Sequence, residues 1–168
     1  METVVCGIDP GLRTTGYAVL AGRGSAAEVV DAGVCRFDEQ PPMAERLRRI
    51  YTDLSAIFSE HRPQVVAVEE LYAHYKHPRT AILMGHARGV MLMAAAEADC
   101  EVRSYAATRV KRLLTGNGRA TKEQIQRAVQ HALHLEVLPE PNDVADALAL
   151  ALCCAAELAH RPGCEVLS

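Results

Sequence analysis

Nothing in this 168-residue chain approaches the run of about 18 uninterrupted apolar residues that a membrane-crossing helix requires. The first residues lack the basic, apolar and small-residue order of an export signal. The protein is therefore expected to be soluble and cytoplasmic, with no membrane partner. Its six cysteines, Cys6, Cys35, Cys100, Cys153, Cys154 and Cys164, include no CxxC pair and no zinc-type spacing. Cys6 and Cys153 lie inside apolar runs and read as reduced core thiols of a cytosolic protein. The seven histidines show no metal-ligand spacing; His74 and His77 read as solvated loop residues, within reach of DNA or a metal should one bind nearby. No internal repeat or low-complexity linker divides the chain. With 49% apolar residues, enough for a full core, residues 1–168 are expected to form one domain ending in a short flexible tail.

Lysine is scarce, with only Lys76, Lys111 and Lys122. Two of the three fall in a segment of unusual charge. Between Arg103 and Arg127 stand seven basic residues (Arg103, Arg109, Lys111, Arg112, Arg119, Lys122, Arg127) and one acid, Glu123. The formal charge of −3 hides this, because the rest of the chain holds 11 of the 18 basic and 20 of the 21 acidic residues. A basic face on an acidic protein suits a phosphate-bearing partner, and a pair of ordinary solvated helices would give the same count.

Hydrophobic periodicity predicts strands over Thr3–Asp9, Thr14–Leu20 and Glu28–Phe37, joined by turns at Pro10-Gly11 and Gly22-Arg23-Gly24. A helix follows over Met43–Glu60, with Leu47, Ile50, Leu54, Ile57 and Phe58 on its apolar face. Then come a strand Val65–Glu69, a helix from Pro78 toward Asp99, and a short strand Glu101–Tyr105. The remainder is helical, broken at Thr115-Gly116-Asn117-Gly118. Thr121 and Gln124 have capping-box spacing, and a last helix starts near Pro141-Asn142 and stops before Pro162-Gly163. This order implies an α/β fold, a five-stranded mixed sheet with helices on both faces.

Four acids occupy telling places in that order. Asp9 and Glu69 each end a β-branched strand, and Asp143 and Asp146 lie three residues apart on the last helix. If the first and fourth strands are neighbours, Asp9 and Glu69 face one crevice, and the last helix crossing the sheet edge would add the other pair. Gathered acids repel unless a cation compensates them, and hard divalent ions ligated by oxygen do so. Singly, Asp143 and Asp146 would equally suit a helix N-terminus, and Asp9 an Asx turn before Gly11. Alternation turns Glu69 rather than Glu70 to the crevice, although a slip of one residue would exchange them.

Several strings then carry a resemblance. They are Gly7-Ile8-Asp9-Pro10-Gly11 with Thr15-Gly16-Tyr17, Val68-Glu69, Gly85-His86-Ala87-Arg88-Gly89, Tyr105-Ala106-Ala107, Val110-Lys111 and Asp143-Val144-Ala145-Asp146-Ala147-Leu148-Ala149. In order and spacing, over nearly the whole chain, they resemble the RuvC family of Holliday junction resolvases. The resemblance implies a ribonuclease H-like fold, a homodimer, and Mg²⁺ or Mn²⁺ as cofactor, two ions per site. It implies symmetric cutting of a four-way junction to 5′-phosphate and 3′-hydroxyl ends, in recombination and repair beside the RuvA–RuvB branch-migration complex. Asp9, Glu69, Asp143 and Asp146 would be its metal-binding catalytic acids, with Asp9 bridging the ions. Lys111 and Lys122 match basic positions near the scissile phosphate, and Arg109, Arg112 and Arg119 join them as DNA-binding residues. Tyr72 matches an aromatic position that stacks on a base at the junction centre, and a core-packing tyrosine is the alternative. The helix after Pro78, with Gly85 and Gly89, would help form the dimer or pack on its own sheet; Met84, Met91 and Met93 read as gap-fillers.

Other readings are weaker. Asp9 to Gly16 also fits the DxGxxxxG phosphate loop of sugar kinases and actin-like ATPases, but such an ATPase needs two domains of this kind. A junction-binding module without activity would have lost an acid. A YqgF-type relative would share the fold with another nucleic-acid substrate, whereas the Tyr72 loop and the basic 103–127 segment favour the resolvase.

Overall fold

The computed structural model describes residues 2–37, 40–71 and 78–160. Strands β1 (Val4–Asp9), β2 (Thr14–Ala21) and β3 (Glu28–Arg36) form an antiparallel meander, with one 3-10 turn at Gly24–Ala26 before β3. Helix α1 (Met43–His61) leads to β4 (Val65–Glu69), and α2 (Pro78–Glu97) leads to β5 (Glu101–Tyr105). Helices α3 (Ala107–Thr115), α4 (Lys122–Ala132) and α5 (Asn142–His160) complete the chain. The sheet order is β3-β2-β1-β4-β5, with β1, β4 and β5 parallel. The expected elements all form, and the mixed sheet places β1 at its centre beside β4. Tyr72, His74, Lys76 and His77, and residues 161–168 with Cys164, lie outside the described residues.

Strand alternation divides the core in two. Val5, Val65 and Ala67 join α5 and the apolar sides of α3 and α4, namely Val110, Ile125 and Val129. Cys6, Ile8, Val66 and Val68 join Ile50, Leu54 and Phe58 of α1 and Ala87 and Met91 of α2. Because both faces are covered, β4 is buried from Val65 through Val68, which explains its unbroken apolar run. Each buried Ile, Leu or Phe of α1 contributes roughly 1.5–3 kcal/mol. The five described cysteines are buried free thiols, Cys153 and Cys154 among them. Thr121 caps α4 as its spacing predicts: the Gln124 amide donates to Thr121 Oγ1 at 3.3 Å, and the Thr121 amide to Gln124 Oε1 at 2.8 Å.

The last helix departs from expectation. It does not merely cross the sheet edge but lies against the face over β1 and β2. Glycines explain how. A Cβ on Gly7 would stand 2.1 Å from the Ala147 carbonyl oxygen, and one on Gly16 would stand 2.0 Å from that of Asp143. Glycine in a strand interior often marks a close approach of another backbone, and here α5 makes that approach twice. No described helix is long and apolar enough to cross a membrane.

Candidate active site

Odd-numbered residues of β1 and β4 point toward α5, so both strands end with an acid on that side. Asp9 and Glu69 meet Asp143 and Asp146 from the first turns of α5 around one cavity of about 370 Å³. Lys111 of α3 and Lys122 of α4 line the same cavity; Val110, Ile125, Ala149 and Leu150 form its apolar wall. Larger hollows of about 460 and 610 Å³ lie elsewhere, but neither gathers the four acids. Glu70 turns away from Glu69 and lines a separate hollow with Gly85, Arg88 and Gly89.

Burial and mutual repulsion raise the affinity of Asp9, Glu69 and Asp146 for protons. Asp9 is pushed up to about 8, chiefly by loss of water and then by the charges of Asp146, Glu69 and Asp143, with Lys122 opposing. Glu69 rises through burial and the charge of Asp146, against the pull of Lys111 and Lys122. Burial also lifts Asp146; Lys122 and Lys111 oppose that rise, and Asp143 adds to it. Four carboxylates in a half-dry cavity exceed the compensation that two lysines supply.

That imbalance is a test of whether a cation belongs here. Every donor is a carboxylate oxygen, the chemistry of Mg²⁺ and Mn²⁺ rather than of softer metals. Among the described residues, no three histidine, cysteine or acidic side chains already stand as a ligating set for one ion. The residues fit a hard divalent cation.

The basic segment divides on inspection. Arg103 pairs with Glu101 at 2.8 Å, Arg127 with Glu123 at 2.7 Å, and Arg109 with Glu157 at 2.5 Å. Arg109 also lies over the Tyr105 ring, 5.5 Å from its centroid, and lines a different hollow from the acids. Arg112 is exposed on α3, its guanidinium packed toward Gly118, and Arg119 is exposed in the turn before α4. Of the six basic and aromatic residues singled out from the sequence, Lys111 and Lys122 reach the acids. Tyr72 lies outside the described residues. Gly7 and Gly16 carry a role that motif reading left out, although glycine inside two otherwise apolar strands was the signal for it.

The family model for the crossover junction endodeoxyribonuclease RuvC matches residues 5–154. A crossover junction endodeoxyribonuclease RuvC from Rhodopirellula baltica is 52% identical over 149 residues, covering 89% of this chain and 84% of the relative. One from Heliobacterium modesticaldum is 44% identical over 162 residues, covering 96% and 99%. Among solved structures, Thermus thermophilus RuvC in complex with a Holliday junction substrate superposes with a TM-score of 0.87 at 38% identity, covering 93% of this chain and 94% of that one. The sheet order and flanking helices are thus those of a ribonuclease H-like fold, and the chain belongs to the RuvC family of crossover junction endodeoxyribonucleases.

Proposed function

We propose that this protein resolves Holliday junctions as a metal-dependent endodeoxyribonuclease, making paired symmetric incisions during homologous recombination and DNA repair. The observation that carries the reading is the meeting of Asp9, Glu69, Asp143 and Asp146 with Lys111 and Lys122 around one cavity. Relatives that bear the name of a crossover junction endodeoxyribonuclease support it, as does a close structural neighbour described with a Holliday junction. In this reading Asp9, Glu69, Asp143 and Asp146 would hold two Mg²⁺ or Mn²⁺ ions, with Asp9 on the central strand as the central ligand. Bound there, such ions would supply activation of water and neutralisation of charge on the phosphate and the leaving 3′ oxygen, in keeping with 5′-phosphate and 3′-hydroxyl ends.

The chain's own residues supply the rest. Lys111 and Lys122 hold the phosphodiester against the acids, and the apolar wall of Val110, Ile125, Ala149 and Leu150 limits water around the reacting group. Arg112 and Arg119 extend the basic surface outward along α3 and the turn before α4, and Tyr72 stacks on a base. Arg109 joins them only by exchanging Glu157 for phosphate. The test is a synthetic four-way junction incubated with protein and Mg²⁺ beside a plain duplex. Symmetric nicks confined to the junction are expected; equal cutting of duplex, or none of either, would overturn the reading.

Lys122→Ala should weaken junction binding most at low salt and flatten its salt dependence, so that its deficit against the parent narrows roughly three- to fourfold between 50 and 200 mM in a filter or polarisation assay. A salt response matching the parent protein would remove Lys122 from the DNA contacts.

The protein acts as a single-domain, cytoplasmic homodimer beside the RuvA–RuvB complex. Support for the dimer comes from α2, whose outward stripe runs through Ile82, Gly85, Gly89 and Met93. Ile82 is 61% and Met93 49% exposed, and a Cβ on either glycine would meet nothing within 4 Å in the protomer. Gly89→Leu should therefore fold normally yet dissociate at least about tenfold more readily, since only a second subunit would meet the new side chain. Sedimentation over a concentration series checks this, and an unchanged dimer would place the interface elsewhere.

A further inference from the structure

The hydrolysis proposed above makes no use of Arg88, although it stands in the middle of the Gly85–Gly89 run. Its side chain leaves α2 and reaches the ends of two strands. Arg88 Nε donates to the Glu69 carbonyl oxygen at 3.2 Å, and Nη2 donates to Ser104 Oγ at 2.7 Å. Val66 and Val68 face α1 and α2, while Val65, Ala67 and the Glu69 carboxylate face α5. Arg88 thus grips the Glu69 main chain from the face of the sheet opposite to the acid cavity.

Glu69 needs such a grip. It is the last residue of a five-residue strand, and the next ladder bond, from the Glu70 amide to the Tyr105 carbonyl at 2.9 Å, closes the pairing with β5. A strand end is where direction is least fixed, and the direction at the Glu69 Cα decides where its carboxylate stands. A guanidinium suits the task because its rigid fork serves two acceptors at once, whereas an ammonium is a point donor on a flexible stem.

We propose that Arg88 is a positioning residue for Glu69: by tying the Glu69 carbonyl and Ser104 to α2, it fixes the carboxylate that helps hold the metal. The inference rests on the reading of Glu69 as a metal ligand. It also makes the acid site answer to the position of the helix assigned to the dimer.

The test compares Arg88→Met, Arg88→Lys and Ser104→Ala with the parent protein. Junction cleavage is titrated with Mg²⁺, and the rise in melting temperature caused by Mg²⁺ is measured without DNA. Sedimentation and junction binding in Ca²⁺ run alongside. Arg88→Met should stay dimeric and bind the junction, yet require about ten times more Mg²⁺ in both titrations, the range by which removing a ligand's supporting bonds weakens metal sites. Arg88→Lys should fall between it and the parent. Ser104→Ala, which frees one arm of the fork but leaves the Glu69 bond in place, should shift the midpoint less than Arg88→Met does. Unshifted Mg²⁺ midpoints in Arg88→Met would overturn the proposal, as would lost cleavage explained by a lost dimer; should that variant fail to fold, an unshifted midpoint in Arg88→Lys decides against it. A parent protein that neither cleaves junctions nor gains stability from Mg²⁺ would instead remove the functional reading itself.

Discussion

Asp9→Asn is expected to abolish junction cleavage, by at least about a thousandfold, while making the metal-free protein harder to unfold at pH 8. If Asp9 is the central ligand proposed above, its loss removes several kcal/mol of transition-state stabilisation, since the ions it would hold serve both the attacking and leaving oxygens. The gain in stability follows from the same carboxylate. Its proton affinity is raised in the folded state to about 8 from the usual carboxylate range, mainly by burial and by Asp146, Glu69 and Asp143. Between roughly pH 4 and pH 8 the native state therefore binds more protons than the unfolded chain, and stability falls as pH rises through that window. Each pKa unit is about 1.4 kcal/mol, and, discounted for the solvent that still reaches the half-buried Asp9, the net cost at pH 8 is on the order of 2 kcal/mol. Asparagine removes that cost. The metal-free variant should melt roughly 4–8 °C above the parent at pH 8, with little difference near pH 4. Mg²⁺ should reverse the order, raising the parent's melting temperature more at pH 8 than at pH 6 and scarcely moving the variant. Binding of the junction should persist or tighten, because a negative charge facing phosphate has gone. Paired melting curves and a junction gel decide it. A variant that still cuts, or one that melts below the metal-free parent, would show that Asp9 is not the strained centre of the acid cluster.

Much of this arrangement was legible from local pattern, because local pattern is what strands and helices respond to. The run Val65-Val66-Ala67-Val68 ending in Glu69 announces a strand buried on both faces, and the alternation along β4 fixes which of Glu69 and Glu70 reaches the acids. Thr121 and Gln124 cap α4 through bonds three residues apart, a distance that sequence can see. The fate of Arg109 was beyond such reading. Its partner Glu157 is 48 residues away on another helix, and a charge count cannot tell a guanidinium turned to DNA from one already paired. Arg88 was hidden for a related reason: its acceptor is a main-chain carbonyl, which every residue possesses. The height of α5 above the sheet is not written in any local pattern either. It depends on the absence of two side chains, and absence attracts attention only once the helix is seen lying over Gly7 and Gly16.

Gly16→Ala should accordingly cripple the enzyme without touching any acid or lysine. Its new Cβ would lie 2.0 Å from the Asp143 carbonyl oxygen and 2.5 Å from the carbonyl carbon, so either α5 lifts or β2 sinks. Both contacts are main-chain, so a side-chain rotation at Asp143 cannot relieve them, nor would trimming Asp143 to alanine. Overpacking of this kind costs roughly 1–3 kcal/mol of stability, tolerable for a chain with two full cores. The displacement falls at the start of α5, where Asp143 and Asp146 leave the helix for the cavity. A misplacement of about 1 Å in a reacting constellation can cost a hundredfold in rate, and that is the expected fall in cleavage. Gly7→Ala presses the same helix at Ala147, one residue beyond Asp146, and should cost more stability because Gly7 lies on the central strand. Gly16→Ala should remain folded by circular dichroism and bind junctions through Lys111 and Lys122, yet require more Mg²⁺ for half-maximal cutting. Parent-like cleavage at limiting Mg²⁺ would mean that α5 need not rest on the sheet for the four carboxylates to act together.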